Sequence, residues 1–281
     1  MGDYMEIILA KYSGFCFGVT RAAALLKEQL EKTKPVSTFG PLIHNPQFNE
    51  EMKKQGAGIV NSVEEVKDGS IIISRAHGLE KSIIEALKNK DIILIDGVCP
   101  FVKSVHKKAL GLEEKGYQVI LIGEREHAEV KAAASYIKNP IIIENAKEIT
   151  DLNIEGKIGV VVQTTQSQKN VDDVILALEN KFGKENIKLE NTRCLATEER
   201  QTAAMNLAKK VDVMIIIGGK ESANTKRLHE ICSTIIKSYH IETAEELNQI
   251  DFTGINKAGI TAGASTPQYV IDKVVEKLKN I

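Results

Sequence analysis

Gln118-Val119-Ile120-Leu121-Ile122-Gly123-Glu124-Arg125-Glu126-His127-Ala128-Glu129 holds the pattern that decides the fold. Val119–Ile122 is apolar on both faces, as suits a parallel strand covered by helices on each side. Gly123 breaks the run, a polar turn follows, and an amphipathic pattern begins at Glu129. Working outward, the same sequence of events recurs. Strands are expected at Glu6–Ala10, Ser70–Ser74, Ile92–Asp96, Gln118–Ile122, Ile141–Glu144, Ile158–Val162, Ile187–Glu190, Val213–Ile217 and Ala258–Thr261. Helices are expected at Thr20–Glu31, Pro46–Lys54, Glu80–Lys88, Phe101–Glu114, Glu129–Ile137, Asn170–Phe182, Glu198–Lys209, Thr225–Ser238 and Pro267–Leu278. Such alternation predicts an α/β fold with parallel sheets.

The chain also carries a threefold echo. Cys16, Cys99 and Cys194 each follow a strand or its turn and each precedes a helix. The separations, 83 and 95 residues, are about one small α/β unit each and too long for a solenoid repeat. Three similar lobes are therefore expected in place of one open nine-stranded sheet. Their spans would be residues 1–97 with Cys16, to which the C-terminal segment is available as completion, 98–192 with Cys99, and 193–281 with Cys194.

Bulk composition narrows the class. The 281 residues are 43% hydrophobic and 27% charged, with a formal net charge of -1, which predicts a soluble protein without a basic field for nucleic acid or an anionic membrane. Aromatics make up 5% and Trp is absent, which disfavours base-stacking platforms. No apolar run approaches the roughly 20 residues of a membrane span. Residues 1–12 show no signal-peptide pattern, and Glu6 stands where a myristoylation motif starting at Gly2 needs Ser or Thr. A cytoplasmic, reducing setting is expected. Four cysteines there read as ligands, nucleophiles or core residues before disulfides.

Ligands of parallel α/β sheets bind beyond the carboxyl ends of the strands. The loops at those places are Arg75-Ala76-His77-Gly78, Gly97-Val98-Cys99-Pro100, Gly123–Glu129, Gln163-Thr164-Thr165, Asn191-Thr192-Arg193-Cys194, Gly218–Asn224 and Ala262-Gly263-Ala264-Ser265. Thiolates at helix starts are stabilised by the dipole and suit a soft metal or an iron–sulfur cluster; three inert buried cysteines are the alternative. Cys232 differs, because Leu228, Ile231, Cys232, Ile235 and Ile236 form one helical stripe and put it in the core. His44, His77 and His127 lie in loops and suit an anion, whereas His106, His229 and His240 read as solvated or capping residues. Ser222, Asn224 and Ser265 start helical segments and read first as helix caps, which does not exclude phosphate binding, since both use the same orphan N–H groups. Glu129 is a candidate proton donor or a first-turn carboxylate. Neither a dinucleotide fingerprint nor a P-loop occurs.

At this point the chain resembles the 4-hydroxy-3-methylbut-2-enyl diphosphate reductase family of the non-mevalonate isoprenoid pathway. The matching stretches are Gly14–Val19, Ile43-His44-Asn45, Ala76-His77-Gly78, Cys99-Pro100, His127-Ala128-Glu129, Gln163-Thr164-Thr165, Cys194–Thr197, Ser222-Ala223-Asn224 and Thr261–Ser265, in family order. The resemblance implies three α/β lobes in pseudo-threefold arrangement around a [4Fe–4S] cluster. Cys16, Cys99 and Cys194 would hold three irons, with one iron open to substrate. His44, His77, His127, Ser222, Asn224 and Ser265 would surround the diphosphate. Glu129 would supply a proton, and Thr164 or Thr165 would order substrate or water. The implied reaction is reductive dehydroxylation of the allylic diphosphate to isopentenyl and dimethylallyl diphosphate, with electrons from a ferredoxin- or flavodoxin-like donor. Two positions depart from the usual pattern. Ala128 replaces a Pro, and Ala223 replaces a Ser, which removes one hydroxyl from the diphosphate shell. A non-redox iron–sulfur hydro-lyase and a multi-lobed binding protein are the rival readings.

Overall fold

The computed structural model describes residues 5–32 and 34–281. The Gly2 reading and the start of the signal-peptide reading fall on residues 1–4, outside the described residues. The strands are β1 Glu6–Leu9, β2 Val36–Phe39, β3 Gly58–Val60, β4 Ile71–Ser74, β5 Ile93–Ile95, β6 Gln118–Ile122, β7 Ile141–Ile143, β8 Ile158–Val162, β9 Ile187–Glu190, β10 Val213–Ile217, β11 Ser238–Ile241 and β12 Lys257–Ala262. The α-helices are α1 Phe17–Leu30, α2 Pro46–Lys54, α3 Lys81–Leu87, α4 Pro100–Glu113, α5 Ala128–Ala134, α6 Gln168–Phe182, α7 Leu195–Ala208, α8 Ala223–Ser233 and α9 Gln268–Leu278.

The chain divides into two compact units. One comprises the N-terminal segment to Thr20, Ile43–Lys54 and Leu195–Ile281; the other comprises Arg21–Leu42 and Gln55–Cys194. The first unit contains one four-stranded sheet in the order β11-β10-β12-β1. The second contains two, in the orders β3-β2-β4-β5 and β7-β6-β8-β9. Every pairing is parallel. The three sheets thus share one strand order, and the chain forms three four-stranded α/β lobes. In the first unit the fourth strand, β1, comes from the opposite end of the sequence: Ile7 pairs with Ala258 and Leu9 with Ile260.

The continuous apolar strands follow from helices on both faces. Alternate residues of β6 and β8, Ile120, Ile122, Val160 and Val162, meet Val171, Val174 and Leu178 of α6. Val119, Leu121 and Val161 point the other way, to Val105, Ala109 and Leu112 of α4. In the first unit, Val213, Ile215 and Ile217 face α9, while Met214 and Ile216 face Leu207, Leu228 and Cys232. Close approach explains two strand glycines. A Cβ on Gly159 would stand 2.9 Å from Leu112, and one on Gly259 would stand 2.4 Å from Met214 Sδ.

The structure corrects several expectations. β2, β3 and β11 were absent from the expected strands, and the helix expected over Thr225–Ser238 ends at Ser233, with Ser238 opening β11. Ile235 and Ile236 extend the apolar period past the real end, because they pack on the same core as Leu228 and Cys232 from outside the helix. His240 lies in that strand and bonds the Gly218 carbonyl at 2.9 Å. His106 is half-buried, with no partner for Nε2, and burial lowers its pKa to about 4. His229 bonds the Ser238 carbonyl. None of the three is simply a solvated helix residue. Cys232 is fully buried in the core, and burial pushes its thiol up to about 12. Among the described residues, no helix is long and apolar enough to cross a membrane.

Candidate active site

Each lobe delivers one cysteine in the same manner. The residue follows the edge strand β1, β5 or β9 and directly precedes α1, α4 or α7. Its backbone N–H then donates to a carbonyl in the loop after the neighbouring inner strand. Cys16 donates to Ala264, Cys99 to Ala76 and Cys194 to Thr164, each at 3.0 Å. These acceptors are the residues before Ser265 and His77, and Thr164 itself. None of the four cysteines is in a disulfide; Cys16, Cys99 and Cys194 are half-buried. Three accessible soft donors at helix starts, beside one inert core thiol, fit the donor set of an iron–sulfur site.

In the first unit, Gly14 takes φ +81° ahead of Cys16, and its carbonyl accepts from Arg200 Nη2 at 2.7 Å. Arg200 Nη1 also donates to Ala196 at 3.0 Å, so a buried guanidinium fixes the loop that carries Cys16. Asn45 Oδ1 caps α2 through the Phe48 N–H and so places His44 just before a helix start. Ser265 Oγ donates to the His44 carbonyl at 3.2 Å and lies 3.5 Å from Ser222 Oγ. Ser222 caps α8 by accepting the Thr225 N–H. Ala223 and Asn224 fill the first turn of that helix. Asn224 is 3% exposed, and neither of its amide atoms has a partner. A desolvated amide left unbonded costs about 1–3 kcal/mol, so its placement suits a polar ligand that satisfies it. His44, Ser222, Asn224 and Ser265 therefore form an anion-ready set within one unit.

The second unit brings together His77, His127, Glu129 and Thr164. The His77 and His127 rings pack edge to face with centroids 5.3 Å apart. His127 caps α5, accepting the Glu129 N–H on Nδ1 at 3.1 Å. A neutral His127 therefore carries its proton on Nε2, as a donor. Glu129 sits in the first turn of α5, but its carboxylate leaves that helix. Oε1 accepts the Thr164 N–H and Oε2 accepts the Thr164 hydroxyl, both at 2.7 Å. With only 2% of its surface exposed, Glu129 is raised to about 7 by burial, against the two Thr164 bonds that pull it down. Thr165 Oγ1 instead accepts from Gln163 Nε2 at 3.0 Å, while Gln163 Oε1 accepts the Glu124 N–H at 2.9 Å.

Gln163, Thr192 and Arg200 were not singled out in the sequence. Thr192, two residues before Cys194, accepts the Val162 N–H on Oγ1 and donates to the Val162 carbonyl. Gln163 and Thr192 lie inside motif loops, which marks the neighbourhood and not the role. Nothing local marks Arg200, whose partner Gly14 lies 186 positions away.

The fold of three parallel four-stranded lobes is similar to that of solved diphosphate reductases. One, the E-1-hydroxy-2-methyl-but-2-enyl-4-diphosphate reductase of Plasmodium falciparum, is 31% identical with a TM-score of 0.92, over 97% of this chain and 87% of that one. Another, described as (E)-4-hydroxy-3-methyl-but-2-enyl diphosphate reductase, the terminal enzyme of the non-mevalonate pathway, is 40% identical with a TM-score of 0.72 over 99% and 100% of the two chains. The 4-hydroxy-3-methylbut-2-enyl diphosphate reductase of Geobacter metallireducens is 43% identical over 99% of this chain and 98% of that protein. The Aquifex aeolicus protein of the same name is 41% identical over 99% and 97%. The LytB protein family profile matches residues 7–279, and the chain belongs to that family.

Proposed function

We propose that the chain catalyses the reductive dehydroxylation of 4-hydroxy-3-methylbut-2-enyl diphosphate to isopentenyl and dimethylallyl diphosphate, the last step of the non-mevalonate isoprenoid pathway. The reaction consumes two electrons and two protons: the C–O bond breaks, oxygen leaves as water and one allylic carbon gains hydrogen. The observation that carries the reading is the Glu129–Thr164 pair, a buried carboxyl that titrates near neutrality beside the loop that anchors Cys194. A general acid works best when its pKa is near the operating pH.

LytB proteins are iron–sulfur enzymes. On our reading the group is a [4Fe–4S] cluster held by Cys16, Cys99 and Cys194, with one iron left without a protein ligand. When bound, such a cluster supplies low-potential electrons and a Lewis-acidic iron. The protein's own part is positioning and proton control. His44, His77 and His127 with Ser222, Asn224 and Ser265 bind the diphosphate, and the Ala223 N–H at the start of α8 adds a donor where its side chain has none. Protonated Glu129 gives its proton toward the departing oxygen. The Thr164 hydroxyl, which both donates and accepts, is the group that orders the substrate or water beside it. Thr165, held by Gln163, supports that loop. A ferredoxin- or flavodoxin-like protein delivers the electrons, and the cytoplasmic setting belongs to the same reading. Residues 1–97, 98–192 and 193–281 are taken as the three lobes, with β1 lent to the last. The packing of α4 on β6 and β8, and of α7 on the β10–β12 core, supports this division.

Mössbauer spectra of anaerobic, iron-57-labelled protein with and without 4-hydroxy-3-methylbut-2-enyl diphosphate test the proposal, followed by turnover with a reduced dye. One distinct iron that responds to substrate is the expected result. A cluster indifferent to this substrate would reject the substrate assignment, and no cluster after reconstitution would reject the enzyme class.

A further inference from the structure

We infer that Ser135 and Tyr136, just beyond α5, are positioning residues for His77: they fasten the loop that presents His77 to the helix that presents His127 and Glu129. The inference rests on the reading of His77 as a diphosphate ligand.

The loop from Arg75 to Lys81 carries three duties. Ala76 accepts the Cys99 N–H, His77 faces His127, and Gly78 turns the chain at φ +89°. Arg75 Nε donates to the Gly78 carbonyl at 3.1 Å and closes the turn on itself. Beyond the turn, Leu79 is buried in the core of the β2–β5 lobe. Within the same lobe the Ala76 N–H also donates to the Leu42 carbonyl at 3.4 Å, and two further bonds come from the neighbouring lobe. Ser135 Oγ donates to the Ala132 carbonyl at 2.7 Å and accepts the Lys81 N–H at 2.9 Å, so one hydroxyl joins α5 to the start of α3. Tyr136 reaches the Leu79 carbonyl through its hydroxyl at 3.4 Å, and its ring lies 5.0 Å from that of His106. A Cβ on Gly78 would stand 3.3 Å from both Ala132 Cβ and His106 Cε1, so the loop is drawn close against α5.

Behind this joint is a cavity of about 310 Å³ lined by residues that include Gly78, Leu79, Ile84, Val98, His106 and Tyr136. On the side of that cavity the turn lacks packed neighbours, so the two hydrogen bonds there add to the packing of Leu79 and Gly78. The two hydrogen bonds set how far His77 stands from His127 and Glu129. Of the two, Ser135 has the better geometry and makes the sharper test.

Ser135→Ala should raise KM for 4-hydroxy-3-methylbut-2-enyl diphosphate about three- to tenfold with kcat nearly unchanged, since the diphosphate is bound alike in ground and transition states. Ser135→Thr keeps the hydroxyl and should restore KM. In a His77→Ala background, Ser135→Ala should add nothing further, because its effect passes through that ring. Hydrogen exchange of peptides spanning residues 75–81, read on the same protein without substrate, should quicken in Ser135→Ala and not in Ser135→Thr. An unchanged KM, or a KM effect that persists in full without His77, overturns the inference. If the parent protein does not turn over this substrate, the proposed function fails instead, and exchange alone decides: unchanged exchange in Ser135→Ala then removes the joint as well.

Discussion

At the scale of a single residue, the environment of Glu129 fixes the sign of its pH dependence. The carboxyl has an ordinary value of 4.5 and titrates at about 7 in the fold because burial disfavours its charge. As pH rises, the unfolded chain loses this proton first. The folded state is therefore unpenalised below about pH 4.5, loses stability up to about pH 7, and changes no further above it, by roughly 3 kcal/mol in all. Glu129→Gln keeps both Thr164 contacts, since Oε1 accepts the N–H and Nε2 donates to the hydroxyl. It should lower turnover by about 10²–10⁴-fold with KM almost unaltered in steady-state kinetics. The same variant should outlast the parent in denaturant at pH 8, a margin that shrinks toward pH 5. Near-parental turnover would remove the proton role. Cys232→Ser makes the opposite case. It should leave iron content as it was while lowering stability by about 1–3 kcal/mol in urea titrations, because it buries a hydroxyl among Leu228, Met214 and Ile216. Loss of iron would show that this thiol is more than packing.

Short elements decide what can stand beside the substrate groups. In the loop between β10 and α8, a Cβ on Gly219 would come 2.5 Å from the His44 carbonyl, a backbone atom that cannot turn aside. Gly219→Ala should therefore displace His44 and raise KM severalfold, with the melting temperature as the control for folding. Ala223→Ser, one residue into α8, adds a hydroxyl beside orphan helix N–H groups and should lower KM with kcat unchanged; no change would mean that the backbone donor already suffices. The long elements were legible in the sequence because β6, β8 and β10 are apolar on two faces and no other arrangement covers both. The missed strands lack that signal. β3 is three residues on a sheet edge, β2 carries Ser37 and Thr38, and β11 reads Ser238-Tyr239-His240-Ile241 after an apolar stretch that keeps helical period. Among polar groups, the cysteines and Glu129 stood out by residue type at strand ends. Arg200 and Ser135 did not, because contacts 186 and 54 positions away in the chain give them their work.

Among the described residues, one strand order serves three sheets, and one of them joins strands from distant parts of the sequence. The β2–β5 and β6–β9 sheets are each complete within a continuous stretch, whereas β1 pairs with β12, some 250 positions later. A ribosome delivers the chain from its first residue onward, and local units form as they emerge. β1 is thus made long before β12, the neighbour it pairs with. Nascent chains stalled before β10 should show protease protection over β2–β9 while the segment to Cys16 remains open to cleavage. Protection of that segment should appear only after Ala262 has cleared the ribosome; earlier protection would mean that β1 has another partner during synthesis. The Cys16 backbone N–H, tied to the Ala264 carbonyl, reaches its final place only after β12 has been made, so a group held by Cys16 could be assembled only then.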